Sequence, residues 1–143
     1  MGAAQQTMAM VRCERLLLLV HAPSAPTEAE WQHWIALCCE HPGPIRVLVE
    51  THGGGPDAKQ RKALSAALQG RELRSAILTD SLVVRGIVTA LAWLGITLRA
   101  FPLHEIQAAA SFLELTAAEV SLAREILPRL RAECGMAELR RAL

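Results

Sequence analysis

Thr51-His52-Gly53-Gly54-Gly55-Pro56-Asp57 is the stretch whose residue types and spacing come nearest to a chemical site. Successive glycines let backbone amides approach a ligand closely, and amides at a helix start attract anions. The histidine side chain has a reference pKa near neutrality, so a histidine in this loop suits acid–base work or ligation, and His52 is the candidate. Catalysis asks for more than one such group. Neither Gly-x-x-x-x-Gly-Lys-Ser/Thr nor Gly-x-Gly-x-x-Gly is present, and no carboxylate–nucleophile set accompanies His52 in the sequence. Asp57 also puts negative charge where a phosphate would sit. Three readings stay open: a tight turn, a ligand loop, or a protein-contact surface to which Lys59 and Arg61 add charge.

Other residues offer less. Ser81 opens a helix-like segment, where its hydroxyl suits a cap, or a phosphosite beside Arg85. Thr51 is the one hydroxyl of the glycine loop and a second candidate phosphosite. The four cysteines (Cys13, Cys38, Cys39 and Cys134) match no zinc-ligand spacing and read as reduced thiols. Arg124, Arg129, Arg131, Arg140 and Arg141 are interleaved with Glu119, Glu125, Glu133 and Glu138, which reads as a solvated helix face.

The elements that position these residues alternate. Arg15 to His21 is a continuous apolar run, the mark of a strand covered on both faces. Thr27-Glu28-Ala29-Glu30 is a capping box opening a helix with Trp31, Trp34, Ile35 and Cys38 on one stripe. Ile45 to Val49 is a second strand. Pro56 and Asp57 open a second helix, with Ala63, Leu64, Ala67 and Leu68 inward and Lys59, Arg61 and Lys62 toward solvent; Gly70 suits its end. Ser75 to Thr79 is a third strand. Leu82 to Leu94 is a helix apolar nearly all round save the row Ser81, Arg85, Thr89, which predicts a buried helix covered by the C-terminal helix, by a second protomer, or by both. Ile96 to Phe101 is a fourth strand, Pro102 to Leu113 a short helix, and Thr116-Ala117-Ala118-Glu119 a capping box for a C-terminal helix reaching Leu139 with Pro128 inside. Thr7 to Cys13 is a candidate edge strand. Repeated strand–helix alternation with short connections predicts an α/β fold: a four- or five-stranded, mostly parallel sheet flanked by helices.

Composition bounds the function. The 143 residues suit one domain, and 52% hydrophobic content is too high for disorder. A formal charge of +1 argues against nucleic acid or an anionic membrane surface as partner. No apolar stretch reaches membrane-spanning length or forms an export signal, so a cytoplasmic location is expected.

Arg74 to Ser81, Val88 to Leu94, Ile96 to Pro102 and Glu105 to Leu113 together resemble the STAS-like superfamily, nearest its SpoIIAA-like (STAS/SEC14-annotated) bacterial proteins, over roughly Arg15 to Leu113. Leu48 to Leu64 looks like the signature of an uncharacterised bacterial subgroup. The resemblance implies an N-terminal segment (1–14), a STAS-like domain (15–114) and a C-terminal helical extension (115–143). It also implies a regulatory binding module without a cofactor. The superfamily's Asp-Ser-Ser-Gly-Leu-Gly switch is absent, since the matching loop, Thr51 to Asp57, holds no serine. The expectation is a non-enzymatic, homodimeric module that binds another protein through Thr51, His52, Gly53, Gly54, Gly55, Asp57, Lys59 and Arg61, with Arg85 beside them. The alternative is a small-molecule or lipid-like ligand sensor using the glycine loop or an apolar pocket beside helix 82–94.

Overall fold

A strand as uniformly apolar as Leu16–Val20 is stable only with both faces covered, and the fold covers both. The structure, a computed structural model, describes residues 6–93 and 96–136. One sheet contains β1 (Met8–Cys13), β2 (Leu16–His21), β3 (Ile45–Thr51), β4 (Leu73–Leu78) and β5 (Leu98–Phe101) in sequence order. β1 is the expected edge strand and runs antiparallel to β2; the remaining pairs are parallel. The helices are α1 (Glu28–Cys39), α2 (Ala58–Leu68), α3 (Leu82–Trp93), α4 (Ile106–Leu113) and α5 (Ala117–Glu133). None of the described helices is long and apolar enough to cross a membrane.

Crossovers of one hand, each stepping one strand in the same direction, bring α1, α2 and α3 to one face of the sheet. The period-2 pattern then sorts the strands. Leu17, Leu19, Ile45, Val47 and Val49 pack with Trp31, Trp34, Cys38 and Leu68 on that face. Leu16, Leu18, Val20, Leu48, Ala76 and Leu78 pack on the other, against Ala109 and Leu113 of α4 and Ala123, Ile126, Leu127 and Leu130 of α5. Both tryptophans belong to the core, each 2% exposed.

Local signals fix the helix starts. Thr27/Glu30 and Thr116/Glu119 form the expected capping boxes, and a third joins Asp57 to Gln60. Asp57 is thus the N-cap that opens α2. The end of α2 comes at Gln69 in the left-handed region, followed by Gly70. At the end of α4, Arg46 and Arg74 donate to the carbonyls of Leu113 and Phe112, both at 3.0 Å, and so tie the helix to β3 and β4.

Three expectations are corrected. α5 packs on β1 and β2, on the face opposite α3, so it does not cover the apolar helix. α3 is consequently not buried: Leu82 is 80% and Trp93 86% exposed, and Val88 is its one buried residue among those described. The chirality of the crossovers sends α3 to one face, while α4 and α5 take the other. α5 ends at Glu133, where Cys134 caps it and Gly135 turns with φ 72. Residues 137–139 of the expected helix lie outside the described residues, as do Leu94, Gly95, Arg140 and Arg141.

Candidate functional site: a cleft between α2 and α3

Parallel strands deliver their C-terminal ends, and the loops that follow, to one edge of the sheet, where α/β folds place ligands. The Thr51–Asp57 loop lies there and makes its turn with its own polar groups. The Thr51 hydroxyl donates to the Gly54 carbonyl at 2.6 Å and accepts from the Gly53 amide at 3.2 Å. The amides of His52 and Gly54 donate to the carbonyls of His21 and Ala22. Asp57 exchanges two hydrogen bonds with Gln60 across the cap. These amides therefore face inward, and the expected recognition by exposed loop amides has no basis at residues 52–54.

Two glycines have exacting backbone roles. Gly53 sits at φ 126, a region open to glycine. A Cβ on Gly54 would come within 2.3 Å of both the Ala22 and Ser24 carbonyl oxygens. The loop is therefore locked against the β2–α1 connection, and Gly54 is the contact point. Gly55 meets nothing within 4 Å.

Beyond Thr51 the residues expected to act together are divided between the two faces. His52 turns toward the α5 side, where its Nε2 lies 2.7 Å from Glu50 Oε2. Glu50, 3% exposed, also accepts a two-pronged bond from Arg131 of α5, at 2.6 and 2.9 Å. Burial works to raise the Glu50 pKa, but the bonds from His52 and Arg131 outweigh it and hold the carboxyl below its ordinary value. The structure thus supplies the carboxylate partner of His52 that the sequence did not reveal. It also places Arg131 in a buried ion pair rather than on a solvated face. The bundle clamps α5 to the end of β3 and takes no part in lining the cleft described next.

On the α1–α3 side, α3 packs on β5, and an open cleft of about 600 Å³ lies between it and α2. That volume is in the range of small-molecule sites. Ile77, with the almost fully buried Val47 and Val49 beside it, forms the floor; Leu64 and Leu68 of α2 form one wall and Val84, Ile87, Val88 and Leu91 of α3 the other. Polar groups lie at the two ends. Arg71 and Glu72 sit at the N-terminal ends of the strands, and His21, Thr51, Gly53, Gly54, Gly55 and Arg61 at the C-terminal ends. Arg61 is half-buried and donates to the Pro56 carbonyl at 2.9 Å, instead of pointing freely to solvent.

The other expected residues fall elsewhere. Asp57 is the exposed N-cap, and Lys59 is exposed on the outer side of α2. Arg85 is exposed on α3. The Ser81 hydroxyl accepts from the Val84 amide at 3.2 Å and caps α3. The Thr51 hydroxyl is buried in the loop turn.

His21 is the residue that sequence reading passed over. It ends an apolar strand, pairs laterally with Thr51, and is 3% exposed with Nδ1 lacking a hydrogen-bond partner among the described residues. Burial depresses its pKa to about 4, against a smaller upward pull from Glu30, so the ring is neutral at pH 7. A polar residue closing a buried parallel strand at the ligand edge was the available signal. Comparison of the chain with family models, with curated proteins and with solved structures returns no match.

Proposed function

We propose that this chain is a non-enzymatic sensor module that holds a small, largely apolar molecule in the cleft between α2 and α3. The observation carrying this reading is the cleft itself, an aliphatic floor and two aliphatic walls left open to a ligand of ordinary size. Apolar surface on this scale is costly to leave hydrated, and an apolar occupant recovers that free energy at about 25 cal/mol per Å². The resemblance to STAS-like regulatory modules agrees with binding rather than catalysis. So does the position of the His52–Glu50 pair, which does not line the cleft.

The test is titration with the fluorescent apolar probe ANS, in wild type and in Ile77→Trp, which fills the floor. One probe per chain, lost in Ile77→Trp and retained in Leu82→Lys/Val83→Lys, supports the cleft. Binding that survives Ile77→Trp but disappears with the two lysines puts the probe on the outside of α3 and refutes it.

A second reading, a protein-binding module that pairs as a homodimer, draws on a separate observation. α3 turns Leu82, Val83 and Trp93 outward, 80%, 73% and 86% exposed, and Arg85 on the same helix is exposed too. Self-association measured by sedimentation, and abolished by Leu82→Lys/Val83→Lys, would favour it; a monomer at all concentrations would count against the homodimer.

A further inference from the structure

Monomeric domains seldom leave a contiguous apolar patch larger than a few hundred Å² open to water. The outward side of α3 is such a patch. At about 100° per residue, Leu82, Trp93, Gly86, Ala90 and Val83 follow one another in that order across an arc of about 100°, with Ile87 just beyond it. All six are exposed: Trp93 at 86%, Leu82 at 80%, Val83 at 73% and Ile87 at 50%, with Gly86 and Ala90 between them. The arc holds no charged residue, and the row Ser81, Arg85, Thr89 lies to one side of it. α3 packs on β5, the last strand of the sheet, while α4 and α5 belong to the opposite face. No described part of the chain covers the arc.

We infer that the occupant is a second copy of this chain, its α3 antiparallel to the first, with Trp93 of each copy seated on Gly86 and Ala90 of the other. This rests on the homodimer reading above and adds its contact and its direction. Area supports a second copy. Trp93 shows roughly 200 Å², and with Leu82, Val83 and Ile87 the large apolar side chains expose on the order of 500 Å². Two such faces in contact bury about 1,000 Å², enough for a specific interface before rim residues are counted. An arc without charge and with an exposed tryptophan also has the composition of an interface core. Relief supplies the direction. Trp93 projects at one end of the face, and about two turns away a Cβ on Gly86 would meet nothing within 4 Å, which leaves a recess there. A two-fold contact pairs residue i with j and j with i. Parallel helices would set Trp93 against Trp93 and recess against recess. Antiparallel helices fill both recesses at once.

The experiment is sedimentation of the full chain from about 0.1 to about 100 µM, with a dimer dissociation constant expected on the order of 10 µM for an interface of this size. Acrylamide quenching over the same range reports the contact itself: Trp93 is open at dilution and should become shielded as the dimer forms, whereas Trp31 and Trp34 are buried throughout. Gly86→Leu fills the recess while replacing a helix-interior glycine, so its monomer should melt no lower than wild type, yet its dissociation constant should rise at least tenfold. Trp93→Ala should weaken the dimer as much. An equimolar mixture of the two variants should associate more tightly than either alone, because one recess receives Trp93 and the other is filled by the introduced leucine. A monomer at every concentration overturns the homodimer and this contact together. A dimer abolished by Leu82→Lys/Val83→Lys but unchanged in Gly86→Leu, or a mixture no tighter than its parts, overturns the antiparallel seat and leaves the α3 homodimer standing.

Discussion

Replacing Arg131 with Met is expected to destabilise the protein far more than a change on a charged helix face would. Arg131 Nε and Nη2 hold Glu50 at 2.6 and 2.9 Å, and the two side chains are 12% and 4% exposed. Removing one partner of such a pair leaves a buried carboxylate with His52 as its remaining side-chain hydrogen-bond partner among the described residues. Losses of this kind run to about 3 kcal/mol or more, whereas exposed pairs are worth about 1 kcal/mol or less. For a chain of this size, about 3 kcal/mol lowers the melting temperature by roughly 10 °C. The pH dependence identifies the cause. Glu50 has a folded-state pKa below its unfolded value, so its contribution is complete above about 4.5 and is lost as pH falls further. In Arg131→Met the bond from His52 still opposes the burial of Glu50, but the bonds and charge of Arg131 are gone, so the Glu50 pKa rises above its wild-type value. Protonation then relieves the variant, and the gap to wild type narrows in acid. Urea unfolding at pH 7 and at pH 4, with the double variant Glu50→Gln/Arg131→Met closing the cycle, measures both effects. A loss under 1 kcal/mol at pH 7, or a gap that does not change with pH, would refute the buried-pair argument.

Further outcomes follow from single contacts. Below its ordinary pKa near 6.5 His21 takes up a proton in the unfolded chain, but in the folded chain only below about 4; stability therefore falls as pH drops through that window, by up to about 3 kcal/mol, and His21→Leu should flatten the decline seen in pH-dependent urea titrations. Gly54→Ala should cost about 2 kcal/mol, because two backbone carbonyls must move from 2.3 Å, while Gly55→Ala, with nothing within 4 Å, should change thermal stability little. Trp93→Ser should alter stability by less than about 0.5 kcal/mol and remove the acrylamide-accessible part of the fluorescence, leaving Trp31 and Trp34 shielded.

Much of the fold is legible along the chain because its signals are local. The Thr27 and Thr116 capping boxes require partners three residues away, and each is read correctly. The Asp57–Gln60 box obeys the same rule with Asp and Gln and was readable by it. The candidate site was legible in part. The importance of Thr51–Asp57 is visible in its glycines, but which of its amides are free is not, since their acceptors at His21 and Ala22 belong to another strand end. His52 finds Glu50 two residues back, a juxtaposition made by the strand end and fixed by Arg131 from α5. His21 gives no local sign of being orphaned.

What the sequence by itself determined is the set of elements, their order, and a mostly parallel sheet. Period-2 and 3.6-residue patterns, caps and breakers act within a few residues and need no knowledge of the whole. Only the tertiary structure decided which face each helix covers. α3 has the composition of a buried helix, yet crossover chirality takes it to the face away from α4 and α5, where α1 and α2 cover β2 and β3 but leave it beside an open cleft. Hydrophobicity states that a surface should be covered. Topology decides whether anything in the chain reaches it.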